Sequence, residues 1–370
     1  MIGTIGNPTI IEQEPNFAIK NVALFKPMNK ENKIEFLRYY FLSNFVIDKM
    51  INEANGATQK FVGLTYLRNF LYPQPPLEEQ KRIVAKLDNL FAKIDKAIAL
   101  HQKNIDEANV FMASVLNDVF VELEEKYEKK KLNEIIKIIG GGTPSKANKE
   151  YWENGTIPWM SSGEINKKRV KYVEKTITEK GFNNSSTKMI PENSVLIALA
   201  GQGKTRGTVA INEITLCTNQ SLAAIIPKKN KINYEFLYYN LDNRYEELRE
   251  ISSGEGTRGG LNLSLIKELN LIYPSFLEQK QIASFLSSVD TKIENLERKK
   301  ELWKQYSKGM MQKIFSQDIK FKDENENEYP EWDEKNLGDV LIKNSSKNKE
   351  NKISRVQSIS NKLGFVEQEE

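Results

Sequence analysis

Apolar side chains recur at alternating steps of four and three in two distant stretches of the chain. They occupy Ile83, Leu87, Leu90 and Ile94 in the first stretch and Ile282, Leu286, Val289 and Ile293 in the second. This spacing is typical of a coiled-coil seam. Residues 77–130 and 275–308 contain no Gly or Pro that would interrupt a helix. The pattern predicts two helices of about 40–50 residues, roughly 60–75 Å long at 1.5 Å per residue. Because each has one narrow apolar stripe, each needs a partner helix, and the other copy is the nearest candidate.

The same short motif opens both stretches. It reads Glu79-Gln80-Lys81 in the first and Glu278-Gln279-Lys280 in the second, an offset of 199 residues. A second echo aligns Leu132 with Leu337, an offset of 205 residues. A period of this size indicates a duplicated domain with its linker, since solenoid repeats are only about 20–50 residues long.

Short strand-like runs and glycine-rich turns fill much of the chain outside these helices. In residues 131–275 the strand candidates are 151–152, 157–160, 194–198, 206–210 and 222–227, and a helix is expected at 234–248. Residues 1–74 follow the second half of this order, with strand candidates at 1–6, 22–25 and 71–73 and a helix at 34–50. This mixture predicts α+β domains.

Few residues suggest catalysis. The single histidine, His101, interrupts the apolar seam together with Asn104 and Lys300, and we expect these polar positions to set the register of a helix pair. The single cysteine, Cys217, lies in a strand-like stretch and is expected to be a core residue. The sequence therefore predicts no catalytic residue, no metal site and no cofactor.

Residues 198–205, Ala-Leu-Ala-Gly-Gln-Gly-Lys-Thr, fit a relaxed phosphate-loop pattern. Such a loop works only when a helix N-terminus follows it, whereas residues 206–211 have the pattern of a strand. A β-turn that presents Lys204 and Arg206 to a phosphate backbone is therefore the favoured interpretation. A nucleotide hydrolase that uses Lys204 remains a lesser alternative.

The formal net charge of +4, from 54 basic and 50 acidic residues, is too small to indicate a nucleic-acid partner. Binding would have to come from local clusters, with amide and hydroxyl groups available to read base edges. The candidate DNA-contacting residues are Thr143, Ser145, Lys146, Lys149, Ser161, Ser162, Lys167, Lys168, Arg169, Gln202, Lys204, Arg206, Asn219, Gln220 and Arg258. The sequence has no apolar run of ~18 residues and no signal-peptide pattern, so a cytoplasmic protein is expected.

In their order, these features resemble the DNA specificity subunit of type I restriction–modification systems. The resemblance is carried by the helix openings at 76–83 and 275–282, the Gly-Gly-Thr-Pro-Ser loop at 141–145, Ile-Pro-Trp at 157–159, and Gly-Met-Met-Gln-Lys-Ile-Phe at 309–315. It implies globular target-recognition domains that each read half of a split double-stranded DNA site. It also implies that two long antiparallel helices act as a ruler between those domains.

The resemblance further implies partners: modification (methyltransferase) subunits, two of them, and restriction subunits, with no membrane association. Methyl transfer and cleavage would belong to those subunits, so the chain itself would be no enzyme and need no cofactor. The alternative from a different class is a coiled-coil scaffold that binds proteins and has no DNA specificity. A salt-insensitive partner would favour that alternative.

The expected domains follow the repeat. They are the end of a recognition domain at 1–74, a long helix at 75–130, a complete recognition domain at 131–275, a second long helix at 276–320 and the start of a recognition domain at 321–370. We expect residues 337–341 to pack against residues 1–74, because an antiparallel helix pair brings both segments to one end of the ruler. This would make a circularly permuted and incomplete second domain, with a simple gene truncation as the alternative.

Overall fold

The computed structural model of the protein describes residues 6, 8–12, 17–19, 22–53, 61–201, 205–252, 260–342, 353, 355–360 and 364–367. The chain divides into two compact units. The terminal unit comprises Met1–Lys103 and Glu297–Glu370, and the central unit comprises Asn104–Leu296. The two long helices each contribute residues to both units.

The helices differ widely in length. In chain order they are α1 (Ile34–Leu42), α2 (Asn44–Glu53), α3 (Leu64–Arg68), α4 (Leu77–Lys126), α5 (Leu132–Ile135), α6 (Glu179–Asn183), α7 (Tyr234–Asn243), α8 (Tyr245–Ile251), α9 (Leu263–Glu268), α10 (Phe276–Phe315) and α11 (Leu337–Val340). Two 3₁₀ turns, Lys149–Tyr151 and Ser162–Lys167, lie between α5 and α6.

The strands are short. They are β1 (Ala18–Ile19), β2 (Leu71–Gln74), β3 (Lys129–Lys131), β4 (Ile136–Gly140), β5 (Ile157–Met160), β6 (Arg169–Val170), β7 (Lys175–Ile177), β8 (Ser194–Ala198), β9 (Val209–Asn212), β10 (Cys217–Thr218), β11 (Leu222–Pro227), β12 (Asn270–Ile272), β13 (Asp333–Asn336), β14 (Val356–Ser360) and β15 (Gly364–Glu367).

The structure contains the two long helices that the apolar seam predicts. Helix α4 has 50 residues and α10 has 40, and Ile83, Leu87, Ile94, Leu286 and Ile293 are buried. The remaining seam positions, Leu90, Ile282 and Val289, are half-buried. Long helices thus accompany globular α+β parts, which is the expected fold class.

The pairing of α4 with α10 is antiparallel. In the central unit, Lys126 at the end of α4 and Tyr127 directly after it bond to Glu278 at the start of α10. In the terminal unit, Ile83 near the start of α4 shares an apolar cluster with Ile314 near the end of α10. Polar groups also lie along the helices: Lys300 bonds to Gln102, and His101 and Asn104 are half-buried.

The centre of the central unit is a five-stranded sheet with the order β4-β11-β8-β9-β6. Its side chains alternate between two faces, as strand geometry requires. Val195, Ile197, Val209 and Ile225 belong to the same cluster as Phe236 of α7, whereas Leu196, Ala198, Ala210, Leu222 and Ala224 join Met160 and Ile165 on the other face. Because both faces are covered, every residue of β8 and β9 is buried.

The core of the terminal unit is aromatic. The rings of Phe36, Tyr40 and Phe315 lie edge to face, with centroids 5.5 Å apart for both contacts to Phe315. This geometry is favourable because the positive edge of one ring meets the negative face of another. Leu337 and Val340 of α11 belong to the same cluster as Phe36.

The segment at 337–341 packs against the beginning of the chain, as expected. The Met28 N–H donates to the Val340 carbonyl at 3.0 Å, and the Leu337 N–H donates to the Phe70 carbonyl at 3.0 Å. Strand β13 pairs with β2 in antiparallel register, Asn336 opposite Leu71. The central unit has the same arrangement, since β3 pairs with β12 and the Leu132 N–H donates to the Leu269 carbonyl at 2.9 Å.

Several predicted elements differ from the structure. Residues 22–25 form no strand, and the nearest pairing is an isolated bridge between Pro27 and Leu341. The helix expected at 34–50 breaks at Ser43, whose buried hydroxyl donates to the Tyr40 carbonyl at 2.7 Å and so competes with helix continuation. The helix expected at 234–248 breaks at Arg244.

Two further strand predictions differ. Residues 151–152 lie at the end of a 3₁₀ turn, because the Asn148 side chain accepts from the Glu150 N–H and caps a turn there. Strand β9 begins at Val209, later than the predicted residue 206, since Gly207 has a positive φ of 86° and belongs to the preceding turn. The strand expected at 1–6 falls almost entirely outside the described residues.

Candidate nucleic-acid interface

Three loops of the central unit meet where the parallel strands β5 and β10 end. These strands pair with Met160 opposite Thr218, so Ser161 and Asn219 leave the sheet side by side. The Asn219 N–H donates to the Met160 carbonyl at 3.0 Å, and the Gly142 N–H, in the loop after β4, donates to the Thr218 carbonyl at 2.8 Å. The hydrogen bonds bring the Gly-Gly-Thr-Pro loop against Asn219.

Two glycines allow this close approach. A Cβ added to Gly141 would lie 2.0 Å from the Asn219 carbonyl oxygen, and one added to Gly142 would lie 2.6 Å from the Ser186 carbonyl carbon. Both distances are far below contact distance, so any larger residue would push the loops apart. The glycine pair is therefore a packing requirement of this junction.

Two tryptophans support the loops. Trp152 and Trp159 lie edge to face with ring centroids 5.0 Å apart. The Trp159 Nε1–H donates to the Gly142 carbonyl at 3.0 Å, and the Trp152 Nε1–H donates to the Ser145 carbonyl at 3.1 Å. Each indole thus packs its apolar body and satisfies its single donor, which fixes the loop at residues 142–145.

The loops enclose an open cleft of about 380 Å³. Its lining is mostly polar and consists of Thr143, Lys146, Lys149, Trp152, Glu153, Trp159, Ser161, Lys175, Asn219 and Gln220. The three lysines outnumber the single glutamate, and all three are exposed. Among the residues that the structure describes, none forms an ion pair with Lys146, Lys149 or Lys175. A surface of this charge attracts anions.

The amide and hydroxyl groups of the cleft are only partly satisfied. The Thr143 hydroxyl donates to Gln220 Oε1, and Asn219 Nδ2 donates to the Ser162 hydroxyl at 3.4 Å. Asn219 Oδ1 and Thr218 Oγ1 are buried and have no hydrogen-bond partner within the described part of the chain, so neither atom is open to a ligand. Gln220 is exposed and Ser161 and Asn219 are half-buried, and their amide and hydroxyl groups are of the kind that recognises base edges.

The structure brings together six of the candidate DNA-contacting residues as cleft lining: Thr143, Lys146, Lys149, Ser161, Asn219 and Gln220. Two more are adjacent, because Ser145 accepts the Trp152 bond through its carbonyl and Ser162 accepts from Asn219. Three candidates, Gln202, Lys204 and Arg258, lie outside the described residues.

Two of the three candidates at 167–169, Lys167 and Arg169, have partners within the central unit. Arg169 donates to both carboxylate oxygens of Glu235 at 2.8 and 2.7 Å, and Glu213 is 3.8 Å away. Hydrogen bonds from this guanidinium to Glu235 raise the pKa of Arg169 above its ordinary value. This ion pair joins strand β6 to helix α7, so Arg169 has a structural role inside the central unit.

Lys167 is also engaged within the unit. It donates to Glu164 at 2.8 Å, and its Nζ lies 4.3 Å from the ring centroid of Tyr172. Burial raises the pKa of Glu164, but hydrogen bonds from Lys167 and from the Ser161 and Glu174 N–H groups outweigh that effect and lower it overall. Lys168, by contrast, is exposed with a positive φ of 54°.

The phosphate-loop pattern does not have the structure that nucleotide binding requires. Strands β8 and β9 form an antiparallel pair on either side of it, with Ile197 opposite Val209. Residues 205–208 form a turn and lead into β9, with no helix N-terminus directly after the pattern. Arg206 is half-buried in that turn. The structure therefore agrees with the turn that the sequence predicts.

Cys217 is a core cysteine, as expected. It is buried in β10, in a small cluster with Trp159 and Ile177. Burial raises the pKa of the Cys217 thiol to about 11, so the thiol stays protonated at neutral pH and is a poor nucleophile.

Sequence reasoning missed Trp152, Glu153, Trp159 and Lys175 as members of the cleft. Trp159 belongs to the Ile-Pro-Trp motif, but its part in supporting the Gly142 loop depends on tertiary contact. Lys175 joins because β7 pairs with β5, which sets Lys175 opposite Trp159. No local pattern predicts that pairing.

In the described portion of the chain, no cluster of three or more His, Cys, Asp or Glu side chains is placed to hold a metal ion. No helix among these residues is both long and apolar enough to cross a membrane.

A family model described as "Type I restriction modification DNA specificity domain" matches residues 1–108 and 124–304. The chain is 33% identical over 239 residues to the type I restriction enzyme MjaIX specificity subunit of Methanocaldococcus jannaschii, covering 61% of this chain and 54% of that protein. It is 32% identical over 221 residues to a type I restriction enzyme specificity subunit of Escherichia coli, covering 59% and 54%. The chain thus spans about half the length of these two relatives.

A solved structure shares the fold. Its description is "Structural basis underlying complex assembly and conformational transition of the type I R-M system", with a TM-score of 0.52 and 20% identity. The match covers 78% of this chain and 72% of the other. At that identity the likeness concerns the fold alone.

Proposed function

Because the chain belongs to the type I restriction–modification DNA specificity family, we propose that it binds a specific double-stranded DNA sequence and directs modification and restriction subunits to it. The observation that best supports DNA binding by this chain is the cleft at the ends of β5 and β10. Its exposed lysines suit phosphates, and its amide and hydroxyl groups suit base edges.

Within the cleft, we assign different roles to the two kinds of residue. Lys146, Lys149 and Lys175 contact phosphates and set affinity, whereas Asn219 and Gln220 contact bases and set sequence preference. Arg169 and Lys167 are left out of this surface because carboxylates of the same unit hold them. The chain carries no catalytic step, and chemistry on DNA belongs to its partners.

A salt titration tests the phosphate contacts. Binding of the full chain, together with its modification subunit, to duplex DNA is measured at several salt concentrations. Replacing Lys146, Lys149 and Lys175 by alanine should flatten the plot of log affinity against log salt by about 0.9 for each lysine that neutralises a phosphate. The preferred sequence should not change.

Lys137→Ala is the matched control. Lys137 is exposed on β4, three residues before Gly140 and opposite Ile226 rather than beside the cleft. This variant should keep the wild-type slope. An unchanged slope in the triple variant would remove the cleft from the DNA surface, and no preference for any duplex sequence in the wild type would favour the scaffold alternative.

The long helices are the proposed docking site for two modification subunits. On α4, Val110 and Phe111 are 72% and 51% exposed. Both are large apolar side chains that lie outside the packed seam of the helix, so a partner protein could cover them. Phe111→Asp should weaken assembly with the modification subunit, as measured by sedimentation or gel filtration. Asn109→Asp adds the same charge at an exposed neighbouring position and should not.

The terminal unit is proposed to be a second recognition unit. Its elements α1, α2, α3 and β2 precede α4 in the order in which α7, α8, α9 and β12 precede α10. Its pair β13 and α11 follows α10 as β3 and α5 follow α4. On this basis we propose the division at 1–74, 75–130, 131–275, 276–320 and 321–370, with the first and last segments forming one unit that reads its own part of the target.

A further inference from the structure

A buried glutamine occupies the fourth position of each long helix. Both Gln80 in α4 and Gln279 in α10 are fully buried, and the side-chain amide of each forms hydrogen bonds through its oxygen and its nitrogen. Gln279 Oε1 accepts from the Asn233 N–H at 2.9 Å, and its Nε2 donates to the carbonyls of Pro274 and Lys231 at 3.0 and 3.4 Å.

The terminal unit repeats these bonds. Gln80 Oε1 accepts from the Lys33 N–H at 2.9 Å, and its Nε2 donates to the carbonyls of Pro75 and Glu31, each at 2.8 Å. The backbone partners in the two units differ by about 200 residues in number, as the helices themselves do. The same three bonds therefore occur twice in the chain.

These bonds tie a long helix to the globular part that it carries. Asn233 and Lys33 are the N-cap residues of α7 and α1, the helices that enter the two cores through Phe236 and Phe36. A single glutamine thus holds the start of the globular helix against the start of the long helix. We call this three-bond contact the glutamine bracket.

Each unit has a second contact between the same two helices. The Tyr239 hydroxyl donates to Asp290 at 2.7 Å, and the Tyr39 hydroxyl donates to Asp88 at 2.5 Å. Asp290 follows Gln279 by eleven residues, about 16 Å along a helix and roughly 20° around it, whereas Asp88 follows Gln80 by eight residues, about 12 Å along and roughly 80° around. One contact alone would permit pivoting, whereas two contacts separated along the helix fix a direction.

We propose that the glutamine brackets and the two Tyr–Asp contacts are positioning devices that fix the angle of each globular unit on its long helix. They thereby select the spacing and rotation at which the two parts of a DNA target are read. The proposal rests on the proposed function, because it requires two units that read two parts of one target. Gln80, Gln279, Tyr39 and Tyr239 are its positioning residues.

DNA geometry makes such positioning selective. Adding one base pair between two half-sites moves them apart by about 3.4 Å and rotates one by roughly 35° about the duplex axis. A globular unit that is held at one angle on its helix binds poorly to a half-site that has been shifted and rotated in this way. A unit that can pivot accepts neighbouring spacings, with no change in the bases that it reads.

The test uses the full chain assembled with its modification subunits. Binding is measured to duplexes whose half-sites are fixed and whose spacer is the preferred length, one base pair shorter or one base pair longer. Gln279→Leu removes the bracket with little change in side-chain volume. Tyr239→Phe removes only a hydroxyl, and so reports on the same device in a variant that keeps the fold if Gln279→Leu does not.

Two controls separate positioning from stability. Gln281→Leu makes the same substitution at an exposed position two residues away, and Ile197→Val removes a buried methyl group from β8 without touching either contact. The wild type, Gln281→Leu and Ile197→Val should prefer one spacer by about tenfold or more, whereas both test variants should approach parity.

The result that overturns the proposal is equally specific. Unchanged spacer preference in Tyr239→Phe, or equal broadening in Ile197→Val, would show that the contacts serve stability alone. Failure of the proposed function is a different observation, namely that the wild-type complex prefers no split target at all.

Discussion

Replacing Arg169 by methionine should destabilise the central unit without changing how strongly DNA binding depends on salt. The Arg169 side chain is 15% exposed and donates to both oxygens of Glu235, which is 15% exposed as well. Methionine keeps a comparable apolar chain but removes the cation. The Glu235 carboxylate is then left beside Glu213, which lies 3.8 Å from the guanidinium in the wild type.

The expected loss is about 3 kcal/mol in the free energy of unfolding, the lower end of the ~3–5 kcal/mol found when one partner of a buried ion pair is removed. The lower end applies because both side chains keep some contact with water. Adding Glu235→Met to Arg169→Met should restore most of the stability, because replacing both members of such a pair by apolar groups is often neutral.

Hydrogen exchange of the amides in β9 and α7 measures the stability of the central unit separately from that of the rest of the chain. The salt titration proposed for the cleft lysines is run on the same variants. If Arg169→Met kept its stability and lowered the salt slope by about 0.9, Arg169 would be a phosphate contact. The assignment of Arg169 to a structural ion pair with Glu235 would then be wrong.

Three further predictions concern other parts of the structure. Gly141→Ala should cost about 3 kcal/mol and weaken DNA binding, because its Cβ would lie 2.0 Å from the Asn219 carbonyl oxygen; urea unfolding and a duplex titration check this, and a tolerated alanine would contradict the packing argument. Gly309→Ala should raise the free energy of unfolding by about 1 kcal/mol, since this glycine lies inside α10 with open space around its Cβ position; reduced thermal stability would count against it. Burial raises the pKa of Glu79, although the hydrogen bond from Trp332 opposes this, so the stability contributed by this carboxyl is complete below its unfolded pKa of about 4.3 and is lost as pH rises through the folded value. Glu79→Gln should therefore be more stable than the wild type at neutral pH, and unfolding measured across pH should show the difference shrinking toward pH ~4; a constant difference would refute the burial argument.

The elements that sequence predicted well are those whose signal is local. The four-and-three spacing at Ile83 and Leu87 repeats every two turns of a helix, so the pattern itself defines α4. Strand β11 was predicted at its observed bounds because 222–227 is a continuous apolar run. The segment 22–25 has a similar apolar run, but it forms no strand. An apolar run indicates that a segment is buried. Whether the segment forms a strand depends on a neighbouring strand with which it can pair.

The sequence by itself determined the two long helices and the repeat that relates them, because these follow from periodicity and from motif order. The contact of residues 337–341 with the start of the chain was expected from that repeat together with the antiparallel helix pair that the family resemblance implies. Tertiary structure alone decided which charges remain available to a partner. Lys175 enters the cleft because β7 pairs with β5, whereas Arg169 is taken by Glu235, 66 residues further along the chain. The physical reason is that a buried charge is stabilised by an opposite charge that the fold brings near it. Nothing in the sequence close to Arg169 identifies that partner.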